Sequence, residues 1–321
     1  MNILITSAGQ RVSLVRAFQK ELKLRFPGSK VYTVDMQPEL SAACNVSDGY
    51  FKVKRVTDPQ YIPELLALCQ EKNIRMVVPT IDTELKVLSE NRGLFDERNI
   101  NCIVSAKEFV YACRDKRIIH EFFIEHGMDI PKEISRQNPE FPLFIKPYDG
   151  SLSVDTFLVR SAEELTAYHL DHPRLMFMEY IDRNEFDEYT VDMYYGRDHK
   201  VKCIVPRKRI LVRAGEINKG LTCKNHIVPY LKDKLGKVEG AVGCLTTQVF
   251  ASQKTDRIVA IEINPRFGGG FPLSYQAGAN YPGWLMDEYF SGKKIEYTDA
   301  WEDQLLMLRY DDEVLVHQYK G

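Results

Sequence analysis

The first third of the chain alternates short apolar runs with segments of helical periodicity. The runs at 2–6 and 30–35 are typical of strands, and between them apolar side chains recur every three or four residues from 12 to 24. The second strand ends on Asp35. Two strands joined through a helix form a βαβ unit, which belongs to a parallel sheet. Further elements are expected at 62–74 (helix), 75–79 (strand), 84–95 (helix) and 100–105 (strand).

Beyond residue 106 the predicted strands come in pairs, which favours antiparallel pairing. A single helix is predicted over 106–127, because the pattern ends at Gly127 and Pro131 follows. The remaining elements are expected at 141–159 (two strands and a loop), 161–169 (helix), 174–181 (strand), 188–206 (hairpin turning near Gly196) and 246–264 (hairpin turning at 253–256). The fold class is therefore α/β at the start of the chain and α+β in the rest.

The composition narrows the class of protein. The 321 residues are 44% hydrophobic and 27% charged, which is typical of a globular protein with more than one core. A net charge of -2 gives no support for a nucleic-acid or anionic-membrane partner. No apolar run reaches the roughly 18 residues that would span a bilayer, and the apolar start is too short for a signal peptide. The seven cysteines are odd in number and lack a C-x-x-C pair, which favours reduced thiols and a cytoplasmic location.

The second hairpin carries the strongest candidate chemistry. A four-residue turn at 253–256 places Gln248 opposite Glu262 to within one residue, and Asn264 shares their face by the period of two. One carboxylate and two amide oxygens are hard donors of the kind that Mg²⁺ or Mn²⁺ prefers. The alternative is a buried strand that ends in a polar turn. Several matched residues on one face favour the metal interpretation.

An arginine and three glycines follow this hairpin directly. Arg266 can donate two parallel hydrogen bonds to a phosphate or carboxylate, although a structural salt bridge is the simpler alternative. Residues 268–270 are all glycine, which lets backbone N–H groups approach an anion closely. Upstream, Lys146 stands on a predicted strand before a loop of glycine and serine residues, an arrangement that can hold phosphates. Lys116 could add a second cation or be a solvated helix lysine.

The types and the order of these candidate residues along the chain resemble those of the ATP-grasp superfamily. The resemblance is closest to the synthetase units of the carbamoyl-phosphate synthetase large subunit and to related small amino-acid ligases. Its specific part is Glu262-x-Asn264-Pro-Arg266 with Gln248 upstream. The resemblance implies a Rossmann-like pre-ATP-grasp domain and a two-subdomain ATP-grasp fold, divided as 1–106 (pre-ATP-grasp domain), 107–180 (small lid subdomain) and 181–321 (metal- and substrate-binding subdomain).

The resemblance also implies a role for each candidate residue, with ATP and Mg²⁺ (or Mn²⁺) as the bound groups. Nucleotide contacts would come from Lys116 and Lys146 (phosphates), Gly150 and Ser151 (lid loop), Glu179 with Tyr180 and Ile181 (adenine) and Glu188 (ribose). The metal would be held by Gln248, Glu262 and Asn264. The catalytic arginines would be Arg266, on the transferred phosphate, and Arg207 and Arg209, on a substrate carboxylate or phosphate. Ser153 departs from the family, which usually has a second glycine there.

The implied activity is the ATP-dependent activation of a carboxylate for attack by an amine, both small molecules, with a homodimer as one allowed assembly. Two alternatives stay open. A non-catalytic ATP sensor is compatible with Ser153, and a nicotinamide-dependent oxidoreductase is suggested by Asp35, although the turn after the first strand has only one glycine. The segment 212–226 is expected to be a loop over the acceptor side. Arg11, Asp82 and Glu84 could face the site from the first domain.

Overall fold

The computed structural model describes residues 1–150, 154–213 and 215–319. Its first sheet is parallel, in the order β3-β2-β1-β4-β5. The strands are β1 (Asn2–Thr6), β2 (Val31–Asp35), β3 (Tyr50–Lys52), β4 (Ile74–Val78) and β5 (Asn101–Cys102). The helices around it are α1 (Val12–Arg25), α2 (Ala42–Val46), α3 (Tyr61–Glu71), α4 (Asp82–Glu90) and α5 (Arg92–Asp96), with a 3₁₀ turn at Pro38–Leu40. The predicted doubly wound layer is therefore confirmed.

Side chains that alternate along the strands fill two cores, one on each face of this sheet. Leu4 belongs to a core formed by the first sheet and its helices, to which Val110 of the following segment also contributes. Ile3 and Ile5 instead belong to a core that continues beyond the first domain through Tyr194 and Phe267. The first domain is thus joined to the rest of the molecule by continuous apolar packing.

Two helices predicted as single segments are each broken in the structure. The prediction over 84–95 is wrong at Asn91, whose side chain bonds the Val87 carbonyl and ends α4 before α5 begins. The prediction over 106–127 is wrong at Asp115, which separates α6 (Lys107–Arg114) from α7 (Lys116–Glu125). The Asp115 carboxylate accepts the Arg117 N–H, so the break is a helix N-cap.

A small antiparallel sheet follows, in the order β7-β6-β8. Its elements are β6 (Leu143–Pro147), β7 (Phe157–Val159), a 3₁₀ turn at Ala162–Glu164, α8 (Ala167–Asp171) and β8 (Leu175–Glu179). The helix predicted at 161–169 therefore begins later, at Ala167. The sheet has a separate core that includes Leu143, Ile145 and Phe177.

The third sheet is antiparallel, in the order β13-β12-β9-β10-β11-β14. Its elements are β9 (Phe186–Tyr195), β10 (Val201–Arg213), β11 (Glu216–Thr222), α9 (Ile227–Leu235), β12 (Gly243–Ser252), β13 (Ile258–Asn264), α10 (Phe271–Gln276), α11 (Tyr281–Ser291) and β14 (Leu306–Leu308). Both predicted hairpins are confirmed. The loop predicted over 212–226 is wrong for the most part, because β10 continues to Arg213 and pairs with β11, which satisfies the backbone of both.

Helices α6 and α7 pack against this third sheet. Phe109, Ile119 and Phe123 lie in its core, on the face opposite the site described below. The domain boundaries near 106 and 180 stay predictions, and this packing favours a small unit that begins after α7. Within the described part of the chain, no helix is long and apolar enough to cross a membrane.

Candidate active site

The floor of the site is one face of the third sheet. Residues that oppose each other across an antiparallel sheet share a face, as do residues two apart on one strand. The observed pairings therefore align two rows of side chains, which are Arg207, Thr190, Gln248 and Glu262 in one row and Asp192, Thr246 and Asn264 in the next. All of these side chains except the fully buried Asp192 border a cavity of about 650 Å³ between the three sheets.

The predicted register of the second hairpin is confirmed, since Gln248 pairs with Glu262. The next pair joins Val249 to Ala260, so Ile261 has no partner and forms a β-bulge. The bulge interrupts the alternation of faces, and both Ile261 and Glu262 line the cavity. The bulge thus places an apolar residue beside the acidic one.

The two amides of the predicted metal set are oriented by neighbouring carboxylates. Gln248 Nε2 donates to Glu188 Oε1 at 2.6 Å, and Asn264 Nδ2 donates to Glu262 Oε1 at 3.0 Å. The NH₂ group of each amide therefore donates to a carboxylate of the protein, and the amide oxygen is left to bind another partner. Within residues 1–150, 154–213 and 215–319, no group of three His, Cys, Asp or Glu side chains could hold a metal alone. This donor set fits Mg²⁺, because the coordination shell of Mg²⁺ in proteins is usually completed by phosphate oxygens of the substrate.

Two lysines stand beside these oxygens. Lys116 Nζ donates to the Gly150 carbonyl at 2.7 Å and lies 3.7 Å from Glu262 Oε2. Lys146, on β6, is 6% exposed, and the described residues provide no acidic partner within ion-pair distance. Burial, and then the charge of Lys116, lowers the pKa of Lys146 to about 8. A buried ammonium without a counter-ion is unfavourable, and a bound phosphate would relieve it.

His120 is buried behind the lysines, and no sequence motif predicts a role for it. Burial, and then the charge of Lys146, lowers its pKa to about 4, so this imidazole is neutral near pH 7. The predicted lid residue Ser151, and Ser153 with it, lie outside the described residues. Gly150 is described and lines the cavity.

The predicted adenine end lies where β8 ends. The Glu179 carboxylate is engaged by the Arg257 guanidinium at 3.3 and 3.4 Å and by the Lys132 N–H at 3.1 Å. Only the backbone of 179–181 is therefore left to meet a base edge. Ile181 belongs to a small buried apolar cluster against which Ile261 packs, which offers a surface for a flat ring.

The predicted ribose carboxylate, Glu188, already has several partners. Arg183 Nη2 donates to Oε2 at 2.7 Å, and Arg209 Nε lies 3.0 Å from Oε1, which also accepts the Gln248 amide. Arg183 follows β8 in a loop and belongs to no sequence motif that would predict this contact. Arg209 thus lies beside Glu188, and its guanidinium also donates to Thr190 Oγ1 at 3.1 Å and to the Gly215 carbonyl at 3.2 Å, so its substrate contact stays a prediction.

Arg207 forms a buried ion pair and is 1% exposed. Its Nε and Nη2 donate to Asp192 at 2.7 and 2.9 Å, and Asp192 also accepts the Ser274 and Thr246 hydroxyls. A Cβ added to Gly270 would come within 2.0 Å of Arg207 Nη1. A substrate contact by Arg207 therefore stays a prediction, and in this conformation the guanidinium lies under the glycine loop.

The three glycines have a packing reason that the sequence could not show. A Cβ on Gly269 would lie 2.2 Å from Glu216 Oε1. The loop 268–270 therefore crosses the sheet in direct contact with β11 and with Arg207. Glycine is needed there for close packing, whether or not the loop also binds an anion.

The far wall of the cavity comes from the first domain. Arg266 donates to Asp82 through Nη2 at 2.6 Å and through Nε at 3.0 Å. Arg11 Nη1 donates to Glu216 at 3.0 Å, and Arg309 donates to the same carboxylate at 3.1 Å. Arg11 and Asp82 therefore do face the site, as the sequence suggested. Glu84 is instead buried within the first domain, where burial raises its pKa to about 7 while bonds from Ser7, Thr6 and Tyr61 oppose the rise.

Two family models match this chain. Residues 3–103 match the PylC-like N-terminal domain, and residues 171–311 match the model described as ATP-grasp in the biosynthetic pathway with Ter operon. None of the curated proteins compared matches the sequence.

Solved structures of low sequence identity share the fold. Biotin carboxylase from Campylobacter jejuni, in complex with β-γ-ATP, superposes with a TM-score of 0.70 at 13% identity, over 94% of this chain and 73% of that one. N5-carboxyaminoimidazole synthetase from Staphylococcus aureus, complexed with ADP, gives 0.70 at 14%, over 92% and 78%. The biotin carboxylase domain dimer of Hydrogenobacter thermophilus 2-oxoglutarate carboxylase, with MgADP and bicarbonate, gives 0.70 at 12%, over 94% and 72%.

Proposed function

Because the chain belongs to the ATP-grasp superfamily of ADP-forming ligases, we propose that it uses ATP and Mg²⁺ to join a carboxylate to an amine. The observation that supports this most directly is the convergence of Glu262, the oriented oxygens of Gln248 and Asn264, and the buried ammonium of Lys146 on one cavity. These groups provide what a metal-bound triphosphate requires, which is hard oxygen donors and positive charge.

The residues of the chain then have distinct tasks. Lys116 and Lys146 neutralise phosphate oxygens, and Arg266, held by Asp82, faces the phosphoryl group that is transferred. Mg²⁺ supplies further charge neutralisation for in-line transfer. A carboxylate oxygen attacks the γ-phosphorus and ADP leaves. The amine nitrogen then attacks the acyl carbon, inorganic phosphate leaves, and the nitrogen loses a proton.

The backbone of 179–181 would receive adenine, and Glu188 would receive the ribose after exchange of a present partner. We further propose small-molecule carboxylate and amine substrates, a cytoplasmic location and a homodimer. The location is supported by the seven cysteines, which are all unpaired. The dimer rests on the relative from Hydrogenobacter thermophilus, whose domain is described as a dimer.

The oxidoreductase alternative loses its main support. Asp35, which would bind a ribose in such an enzyme, accepts the N–H groups of Gly9 and Gln37, both at 3.2 Å. The carboxylate is therefore used to hold the turns that follow β1 and β2. The sensor alternative depended on Ser153, and no described residue favours it.

The test uses Glu262→Gln, which keeps the size of the side chain but removes its charge. MgATP at about 100 times its Kd should stabilise the wild type by about 2.7 kcal/mol, and EDTA should remove this gain. The variant should lose about 10²- to 10³-fold in ADP release over a panel of carboxylates and amines. Glu71→Gln, at an exposed position, is the matched control. Normal ADP release by Glu262→Gln would refute the metal assignment.

A further inference from the structure

His120 is a buried histidine with no part in the reaction proposed above. It lies on α7, one turn after Lys116, so the two side chains share a face of the helix. The imidazole is 4% exposed and bonds to the carbonyl of Ile261, the bulged residue of β13. Its Nε2 atom is also buried and has no hydrogen-bond partner among the described residues. The bond to Ile261 is therefore made by Nδ1.

These contacts determine which ring nitrogen carries the proton. A carbonyl oxygen can only accept, so Nδ1 is protonated in its bond with Ile261. Burial, and then the charge of Lys146, lowers the pKa of His120 to about 4, so the ring holds a single proton near pH 7. Nε2 is therefore an unprotonated acceptor. A buried acceptor without a hydrogen bond is unfavourable, and a donor close by would relieve it.

Lys146 is the donor best placed for this acceptor. Among the described residues, two cations act on the imidazole, Lys146 more strongly than Lys116. Lys116 already donates to the Gly150 carbonyl at 2.7 Å and lies 3.7 Å from Glu262. Lys146 is 6% exposed, and in the described part of the chain its ammonium has no acidic group within ion-pair distance. An ammonium has three N–H groups, so Lys146 can donate one to Nε2 and keep the others for a phosphate.

A neutral acceptor at this position favours phosphate binding. An acid beside Lys146 would orient the ammonium, but it would also neutralise the charge and repel the triphosphate. A neutral imidazole can orient the ammonium and leave its full charge to the phosphate oxygens. Through Ile261, the same ring also holds the bulge that lines the cavity next to Glu262.

We propose that His120 is a positioning residue for Lys146, whose ammonium donates to Nε2 when MgATP binds and so directs its remaining N–H groups to the phosphates. Lys146 belongs to the small sheet, whereas α7 packs against the third sheet. The bond therefore forms as the nucleotide occupies the space between the two sheets. His120 does not line the cavity, so it acts on the nucleotide only through Lys146. This inference rests on the proposed function.

Two substitutions distinguish the two nitrogen atoms of the ring. His120→Asn can keep the bond to the Ile261 carbonyl through its amide N–H but has no group at the position of Nε2, whereas His120→Gln can place its amide oxygen there. By titration calorimetry, His120→Asn should raise the Kd of MgATP about ten- to hundredfold, as expected for the loss of a hydrogen bond to a charged group. His120→Gln should restore most of the affinity. His126→Asn, at the end of the same helix, is the matched control and should leave the Kd within twofold.

A cycle with the lysines tests whether His120 acts through Lys146. In the Lys146→Ala protein, which lacks the proposed donor, a further His120→Asn substitution should change the Kd of MgATP less than twofold. In the Lys116→Ala protein, the same substitution should still weaken binding at least tenfold. Melting temperatures without ligand show whether each variant is folded. Nitrogen NMR of the wild type needs no variant: the Nε2 resonance of His120 should shift when Mg²⁺ and a non-hydrolysable ATP analogue are added.

The outcomes separate this inference from the proposed function. If the wild type binds MgATP with metal dependence but His120→Asn binds it equally well, the role of His120 is wrong and the ligase proposal stands. The same conclusion follows if His120→Asn weakens binding by the same factor with and without Lys146, because the effect is then one of packing. A loss in His120→Gln as large as in His120→Asn would also overturn the role of Nε2. Absence of any MgATP binding by the wild type would refute the proposed function itself.

Discussion

At the scale of single residues, the buried carboxylate of Glu188 is stabilised by three neighbouring side chains. Arg183, Arg209 and Gln248 all contact its two oxygens. Arg209 and Gln248 are held within the sheet, whereas the side chain of Arg183 is 65% exposed. A ribose that bonds to Glu188 in exchange for one of these contacts would most easily displace Arg183, because this contact has the most freedom to leave. We therefore propose that Arg183 competes with the nucleotide.

Arg183→Ala should strengthen ATP binding. An ion pair with one exposed partner is worth up to about 1 kcal/mol, so its removal should lower the Kd of MgATP by as much as about fivefold. Titration calorimetry measures this change directly. Arg213→Ala is a matched control, because that side chain is 64% exposed, pairs with an aspartate and does not line the cavity. Weaker binding by Arg183→Ala would mean that Arg183 contacts the nucleotide instead.

Lys146 gives the site a dependence on pH. Its pKa is lowered to about 8, chiefly by burial, so the ammonium loses its proton as pH rises through 8. Phosphate binding favours the charged form, and MgATP should therefore bind up to about tenfold more weakly at pH 9 than at pH 7. Arg stays protonated at both values, so Lys146→Arg should show a smaller change. An equal change in Kd for both proteins would exclude Lys146 as the titrating group.

At the scale of elements, the hairpin of β12 and β13 could be predicted in register but not in detail. Its turn length places Gln248 opposite Glu262, and local spacing is enough for that. At the bulge, Ile261 packs against an apolar cluster that contains Ile181 and Val259. Val259 lies on the same strand, but Ile181 is distant in sequence. Short-range patterns do not contain this information.

Other features escaped prediction for the same reason. Arg207 is a candidate from the sequence, but its buried ion pair with Asp192 joins strands β10 and β9. Only the register of the assembled sheet brings these two side chains together. Asp115 interrupts a helical pattern through a cap that the apolar periodicity does not reveal. The fold class and the register of the candidate metal residues could be predicted because they depend on patterns within one element or one hairpin. The contacts of Glu188 and Glu216 could not, because they join separate elements.

The glycine loop permits a test at this scale. Gly270→Ala would place a methyl group 2.0 Å from Arg207 Nη1 and 2.4 Å from Ile217 Cγ2, although the backbone at φ −89 accepts alanine. Overpacking of this kind should lower the free energy of unfolding by about 1–3 kcal/mol, and it should also reduce turnover. Denaturant unfolding measures the first effect. Gly93→Ala, with nothing within 4 Å, is the control and should change stability by less than about 1 kcal/mol. Unchanged stability of Gly270→Ala would show that the loop has room to move away.

At the scale of the whole molecule, the first domain and the third sheet are fastened together at two sites. Beside the cavity lie the pairs Arg11–Glu216 and Arg266–Asp82. On the far side, Glu21 accepts hydrogen bonds from Tyr275, Asn280 and Arg25, and Arg25 also pairs with Asp287. A shared apolar core lies between the two sites. These contacts fix the acceptor end of the cavity.

The small sheet is attached in a different way. It has its own core, and its contacts with the rest include the Glu179–Arg257 pair, the bonds from Lys116 to the Tyr148 and Gly150 carbonyls, and the segment 129–134. That segment pairs with β13 at Val259 and then with β8 at Met178, so it joins the two sheets. Lys146 belongs to the small sheet and Glu262 to the third sheet, and we therefore expect a triphosphate bound between them to draw the two sheets together.

The addition of Mg²⁺ and a non-hydrolysable ATP analogue should therefore slow amide hydrogen exchange in some parts of the protein and not in others. Amides of β6, β8 and 129–134 should become more protected, because the nucleotide adds contacts on both sides of the small sheet. Amides of α1 and α11 should be unchanged, since their contacts already hold in the free protein. Lys146→Ala should remove most of the protection in β6, because it removes the charge through which the small sheet meets the phosphates. Equal protection of all three sheets would mean that the nucleotide stabilises the whole molecule as one body.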